Sequence, residues 1–208
     1  MDTRTRIMKE AGILFGQQGI RNVTMDHIAE HLGISKRTIY ENFKDKTDLL
    51  RQSVYEAAIV HREMSLKVFN EAENVIVGIY ELAEFMRMTM KKINPAFFSD
   101  LKKLYPDIHQ SFNERSDIRN YSLTYTMLKK GVNEGVFRKD FNIDLVNEAW
   151  QQLISVISNK NFQDKMEFSK QDVACSLFLP FLRGLCTEKG VSLVEEHTER
   201  LKDIHQDK

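Results

Sequence analysis

Between Thr24 and Lys46 the chain gathers hydrogen-bond donors at a spacing suited to reading a nucleic acid. Ala29, Gly33 and Ile39 are the residue types that two helices need when they cross at about 90–120° through a tight turn. A small residue lets the helices approach, glycine takes the positive φ that redirects the chain, and isoleucine fills the angle between them. Ile28, Leu32 and Ile34 surround Ile39, so the inward face is used up and Lys36, Arg37, Thr38 and Asn42 point outward. A short helix presenting a row of donors from such a corner fits the DNA major groove. Arg37 is best suited to a bidentate contact with guanine, and Lys36, Thr38 or Asn42 to neighbouring bases. Thr24 and Ser35, at helix N-termini, with Tyr40 and Lys46 beside them, suit phosphate oxygens, which position a protein without reading sequence.

Other chemistries find little support. No glycine-rich phosphate loop, nucleophile elbow or His-Glu-x-x-His motif is present, so neither an enzyme nor a cofactor is expected. His27 and His31 share a helix face but have no third ligand, so no metal site is expected. His61, His109, His197 and His205 are isolated, and Glu195-Glu196-His197 reads as a solvated tail. Cys175 and Cys186 lack any paired spacing and read as reduced and buried.

The elements that must position the donors are helical. The 208 residues hold 42% hydrophobic and 29% charged residues, with three Pro and nine Gly, a composition that disfavours disorder and β-sandwiches. Thirty Lys and Arg balance thirty Asp and Glu, so any nucleic-acid contact must come from a local patch. Residues 36–46 supply one, with four cations (Lys36, Arg37, Lys44, Lys46) against two anions (Glu41, Asp45). The polar start lacks the apolar run of a signal peptide, and the longest apolar run, Leu177–Leu182, is far below the roughly 20 residues of a membrane span. A cytoplasmic protein is expected.

Ile7, Ala11, Leu14 and Phe15 predict a first helix ending at Gly19. Thr24 caps a second, Ser35 a third, and Asp45 with Asp48 a fourth reaching about Asn70. Further helices are expected at 71–93, stopping at Asn94-Pro95, then at 97–104, and from Pro106 to near Gly135. Asn142 caps another to Asn159, and Ser169 with Asp172 a last one through about Cys186, kinked at Pro180.

Residues 6–50 resemble the DNA-binding head of TetR-type, tetracycline-repressor-like transcriptional regulators. The resemblance rests on Arg6-Ile7, Ala11, Leu14-Phe15, Gly19, Thr24, Ile28-Ala29, Leu32-Gly33-Ile34-Ser35, Thr38-Ile39-Tyr40, Phe43, Lys46 and Leu49-Leu50. A weaker echo is Gly131-x-x-x-Gly135-Val136-Phe137-Arg138-x-Asp140. The chain departs in Lys36-Arg37, where small residues are frequent, which bears on the bases read and not on the fold. The resemblance implies an all-α protein: a three-helix helix-turn-helix head, residues 1–46, joined to a larger helical ligand-binding and dimerisation body, residues 47–208. It implies a homodimer on palindromic operator DNA, phosphate contacts from Tyr40 and Lys46, base reading by the third helix, and repression relieved by a small-molecule effector.

Within the body, Leu145/Ala149/Leu153/Val156 and Val146/Trp150/Ile154/Ile157 form two adjacent stripes on one helix. Val173/Leu177/Phe181 and Ala174/Phe178/Leu182/Leu185 do the same on another. Arcs this wide need neighbours on two sides. A partner subunit is one, making Leu145, Ala149, Leu153, Val156, Ala174, Leu177, Phe178 and Phe181 the expected dimer interface. Phe85, Met86, Met90, Phe97, Tyr105, Phe112, Tyr121 and Tyr125 are pocket candidates, since rings and thioethers line adaptable apolar sites. Arg87 or Arg119 is a candidate for holding an anionic group. Two rival readings stand beside this one: a helical interaction protein whose head no longer binds DNA, and a DNA-binding regulator controlled by a protein partner.

Overall fold

The computed structural model describes residues 2–114, 121–158 and 169–206, and their architecture is all-helical. In chain order the helices are α1 (Thr3–Gln18), α2 (Met25–Leu32), α3 (Lys36–Asn42), α4 (Lys46–Glu71), α5 (Val75–Lys91), α6 (Pro95–Leu104), α7 (Pro106–Glu114), α8 (Tyr121–Asn133) and α9 (Ile143–Ser158). Then α10 (Lys170–Val173) runs through a π-helical turn (Ala174–Phe178) into α11 (Leu179–Leu185), and α12 (Glu188–Gln206) follows.

The helix starts form where local hydrogen bonding dictates. Thr24 accepts from the His27 N–H at 3.1 Å, Ser35 from Thr38 N–H at 3.1 Å, and Asp45 from Asp48 N–H at 2.9 Å. Asn142 accepts from two N–H groups, and Ser169 and Asp172 cap reciprocally. Each side chain satisfies a donor that the first helical turn leaves orphaned. Pro95 and Pro106 open α6 and α7, where a missing N–H costs nothing.

Packing divides the chain into two units, residues 1–65 with 84–119 and residues 66–83 with 120–208. These bounds differ from the sequence division at 46/47, because α6 and α7 contribute Leu101 and Ile108 to the core of the head. That core contains Ile7, Leu14, Phe15, Ile28, Ile39 and Phe43. The second unit is built around Phe69, Ile76, Leu128, Phe137, Trp150, Leu182 and Val194. Trp150 receives Phe178 and Phe181 edge-on at centroid distances of 5.3 and 6.0 Å.

Three expectations are corrected. The residues after Cys186 are not all a solvated tail: α12 buries Val194 and His197, and His197 stacks on Tyr80 at 5.8 Å. The charged pairs Glu188-Lys189 and Glu195-Glu196 obscure its apolar period. Cys175 is exposed, whereas Cys186 is buried and its thiol is pushed up to about 11 by burial. The bend expected at Pro180 takes the form of the π-helical turn just before it. Widening that turn relieves the clash that a proline ring makes with the carbonyl four residues earlier. The continuous helix expected across residues 115–120 lies outside the described residues.

Candidate nucleic-acid interface

Gly33 ends α2 in left-handed backbone (φ 64°, ψ 35°). Its N–H donates to the Glu30 carbonyl at 3.1 Å, and the Ile34 N–H donates to Ala29 at 3.0 Å. Two orphan carbonyls are thereby satisfied and the chain turns sharply into α3. Arg6 on α1 also donates to the Leu32 carbonyl at 3.0 Å, tying the end of α2 to the first helix. Ile39 is fully buried, so the polar residues of α3 are forced onto the opposite surface.

The structure places the sequence-derived residues as follows. Arg37 is 88% exposed, and its Nε donates to the Glu41 carboxylate at 2.9 Å. Lys36 reaches across to Asp26 on α2, Nζ to Oδ1 at 2.6 Å, and this hydrogen bond raises its pKa above the ordinary lysine value. Tyr40 is 47% exposed. Asn42 donates to the Thr38 carbonyl at 2.8 Å, and the hydroxyls of Thr38 and Ser35 lie 2.8 Å apart. Thr24 and Ser35 face solvent at the starts of α2 and α3, whose first backbone N–H groups carry partial positive charge.

Lys46 differs from an outward phosphate contact. Its half-buried ammonium donates to the Ile20 carbonyl at 2.6 Å, and burial lowers its pKa. It thereby ties the start of α4 to the turn after α1. That turn is held a second time by Asp100 of α6, which accepts from the Arg21 N–H and pairs with its guanidinium, both at 3.1 Å.

Four further residues belong to this surface. Asp26 and Glu41 partner the two adjacent cations of α3. The second is readable as an i, i+4 pair, but the first depends on the angle between two helices. Arg4 lies over the Phe43 ring at 4.5 Å and donates to the Asn42 carbonyl and to Gln52, bracing the end of α3. Lys44 is exposed in the α3–α4 turn.

Of the pocket candidates, Phe85, Met86, Met90, Phe97 and Tyr105 lie in the first unit and Tyr125 in the second. Phe97 and Tyr105 pack against the head core. Phe85 is half-buried and stacks on His61 at 5.2 Å, Met86 is half-buried, and Met90 is 42% exposed. Tyr125, in the other unit, lies under the Lys129 ammonium at 4.6 Å. The side chains of Phe112, Tyr121 and Arg119 lie outside the described residues. Arg87 is held by Glu84 through hydrogen bonds of 2.7 and 2.5 Å. A cavity of about 250 Å³ opens at the end of α8, lined by residues including Lys129, Arg138 and Phe141.

On α9 the two apolar stripes separate. Trp150 and Asn147 are buried and Val146 and Ile154 pack against the core, while Leu145 is 71% exposed, Ala149 is exposed and Leu153 and Val156 are half-buried. On the π-helical turn and α11, Leu182 and Leu185 are buried and Leu177 is 41% exposed. Ala174, Phe178 and Phe181 are half-buried, the two rings being part of the Trp150 cluster.

A family model described as bacterial regulatory proteins, tetR family, matches residues 7–52. An HTH-type transcriptional regulator of Staphylococcus aureus is 45% identical over 49 residues, 24% of this chain and 26% of the relative. The match therefore spans about a quarter of that relative's length. Over most of the chain the similarity is one of fold. A TetR-family transcriptional regulator from Cytophaga hutchinsonii aligns at a TM-score of 0.66 and 15% identity, covering 90% of this chain and 96% of that one. A protein from Saccharomonospora viridis, described as a transcriptional regulator in complex with choline, aligns at 0.54 and 19% identity, covering 89% and 98%. Among the described residues no helix is long and apolar enough to cross a membrane, and no group of three metal-ligating side chains occurs. Through residues 7–52 the chain is similar to the tetR family of bacterial regulatory proteins.

Proposed function

We propose that the chain is a sequence-specific DNA-binding transcriptional regulator, a homodimeric repressor released from a pseudo-palindromic operator by a small molecule. The observation that carries this reading is α3: its inner face is spent on Ile39, while Arg37 projects from a corner fixed by Gly33. Arg37 reads guanine, with Lys36, Thr38 and Asn42 toward neighbouring bases and Thr24, Ser35 and Tyr40 toward phosphates. Lys46 acts by holding the turn after α1 in the docking geometry.

One helix of seven residues offers few base contacts. Two copies held about 34–36 Å apart meet successive major-groove faces. The stripe of exposed Leu145 and Ala149 with half-buried Leu153 and Val156, together with Ala174, Leu177, Phe178 and Phe181, supports a four-helix interface between copies. Phe178 and Phe181 reach it from the edge of the Trp150 cluster. A small-molecule effector is supported by the fold relative in complex with choline. Such a molecule acts only by favouring one spacing of the heads over another.

Selection of duplexes from a random pool by the full chain tests this reading. Inverted repeats are expected to be enriched. Arg37→Ala should weaken the enriched duplex about 5–150-fold while sparing an unrelated one, the range of a lost bidentate base contact. Lys46→Ala should weaken both. A monomer that enriches no duplex at low ionic strength overturns it.

A further inference from the structure

Arg37 and Glu41 lie one turn apart on the solvent side of α3, joined through Nε alone at 2.9 Å. A guanidinium offers five N–H donors in a fixed plane, and guanine is read by two of them at O6 and N7. A carboxylate on Nε leaves Nη1 and Nη2 available and favours the rotamers that keep this contact. The neighbouring cation is paired differently, Lys36 reaching Asp26 on α2 at 2.6 Å. Arg37 is the cation of this row whose partner lies on α3 itself, an acid fixed to its rear.

We infer that Glu41 is a positioning residue for base recognition: it holds the Arg37 guanidinium through Nε so that Nη1 and Nη2 meet guanine O6 and N7, and it keeps that cation from binding phosphates at random. This inference rests on the DNA-reading role of α3 proposed above. The pair persists in the specific complex, because the edge that meets guanine is not the edge that meets Glu41. On unrelated DNA the same carboxylate neutralises Arg37 and repels the backbone, lowering adventitious affinity. Glu41 thus affects the two kinds of binding in opposite directions, which neither a solvated surface acid nor a stabilising helix pair does.

The experiment uses the full chain, a duplex enriched by the wild type from a random pool, copies with each guanine replaced, and an unrelated duplex of equal length. Glu41→Ala is expected to weaken the enriched duplex about threefold to tenfold, part of the discrimination that a bidentate contact provides. It should also tighten the unrelated duplex about twofold to threefold and steepen its salt dependence, as one added phosphate contact would. Glu41→Gln, which keeps an acceptor for Nε, should retain most of the guanine preference while still gaining unrelated affinity. With Arg37→Ala in place, Glu41→Ala should no longer alter the guanine preference. Equal tightening of both duplexes by Glu41→Ala, or no change in either, overturns the inference while leaving DNA reading intact. Failure of the wild type to enrich any duplex overturns the reading on which it rests.

Discussion

His61 on α4 stacks against Phe85 on α5, with centroids 5.2 Å apart and planes 29° apart. Its Nε2 is buried without a hydrogen-bond partner, and desolvation lowers the pKa below the ordinary value near 6.5. The unfolded chain therefore binds more protons than the native one once pH drops below about 6.5. Stability falls with falling pH in that window, because ionising the native imidazole requires charge in a desolvated seam. His61→Phe preserves the ring stack and removes the titration. Melting temperatures between pH 7.5 and pH 5 should decline less steeply in the variant than in the wild type. Parallel slopes would show that the lost stability resides in other groups. The same scale separates the two cysteines: Cys186, with its thiol pushed up to about 11, stays protonated at neutral pH, while Cys175 faces solvent.

Two glycines are required for different physical reasons. Gly33 sits at φ 64°, and a Cβ built there would meet nothing within 4 Å, so an alanine brings backbone strain without a clash. Gly131 on α8 is the opposite case: a Cβ would lie 2.1 Å from the Phe137 ring, which is 1% exposed. Gly33→Ala should cost about 1–2 kcal/mol, the penalty of the left-handed conformation. Gly131→Ala should cost about 1–3 kcal/mol or more, as overpacking does. Urea unfolding measures both, and Phe137→Leu should recover part of the loss at 131 and none at 33. Recovery at neither would mean that the α8 contact relaxes by a backbone shift. At this scale the sequence was readable wherever a short-range rule governed. Thr24, Ser35, Asp45, Asn142 and Ser169 all cap as their types and offsets indicate. It was less readable for α12, whose buried Val194 and His197 are interleaved with exposed glutamates.

For the whole molecule, the quantity at stake is whether the partly exposed stripe of α9 meets a second copy. Leu145→Glu and Leu153→Glu each place a charge on that face, Leu145 being 71% exposed in the single chain. A charge left unpaired in a buried interface costs about 3–5 kcal/mol. Sedimentation should shift from dimer to monomer in both variants with the helical circular dichroism retained, and affinity for an inverted-repeat duplex should fall with it. Dimers of undiminished stability would place the interface elsewhere. Two half-sites are read together only when their spacing is fixed, so losing the dimer should cost specific binding far more than unrelated binding.

The sequence by itself determined the all-helical class, the corner at Gly33, the burial of Ile39 and the outward placement of Arg37. These follow from periodicity and capping among residues a few positions apart, which the neighbouring chain already fixes. Only the tertiary structure decided which groups those side chains meet. Asp26 takes Lys36, the Ile20 carbonyl turns Lys46 inward, Leu101 and Ile108 extend the head core, and Tyr80 covers His197. Each pairing joins residues ten or more positions apart on different elements, so it is set by how helices cross and not by any local pattern.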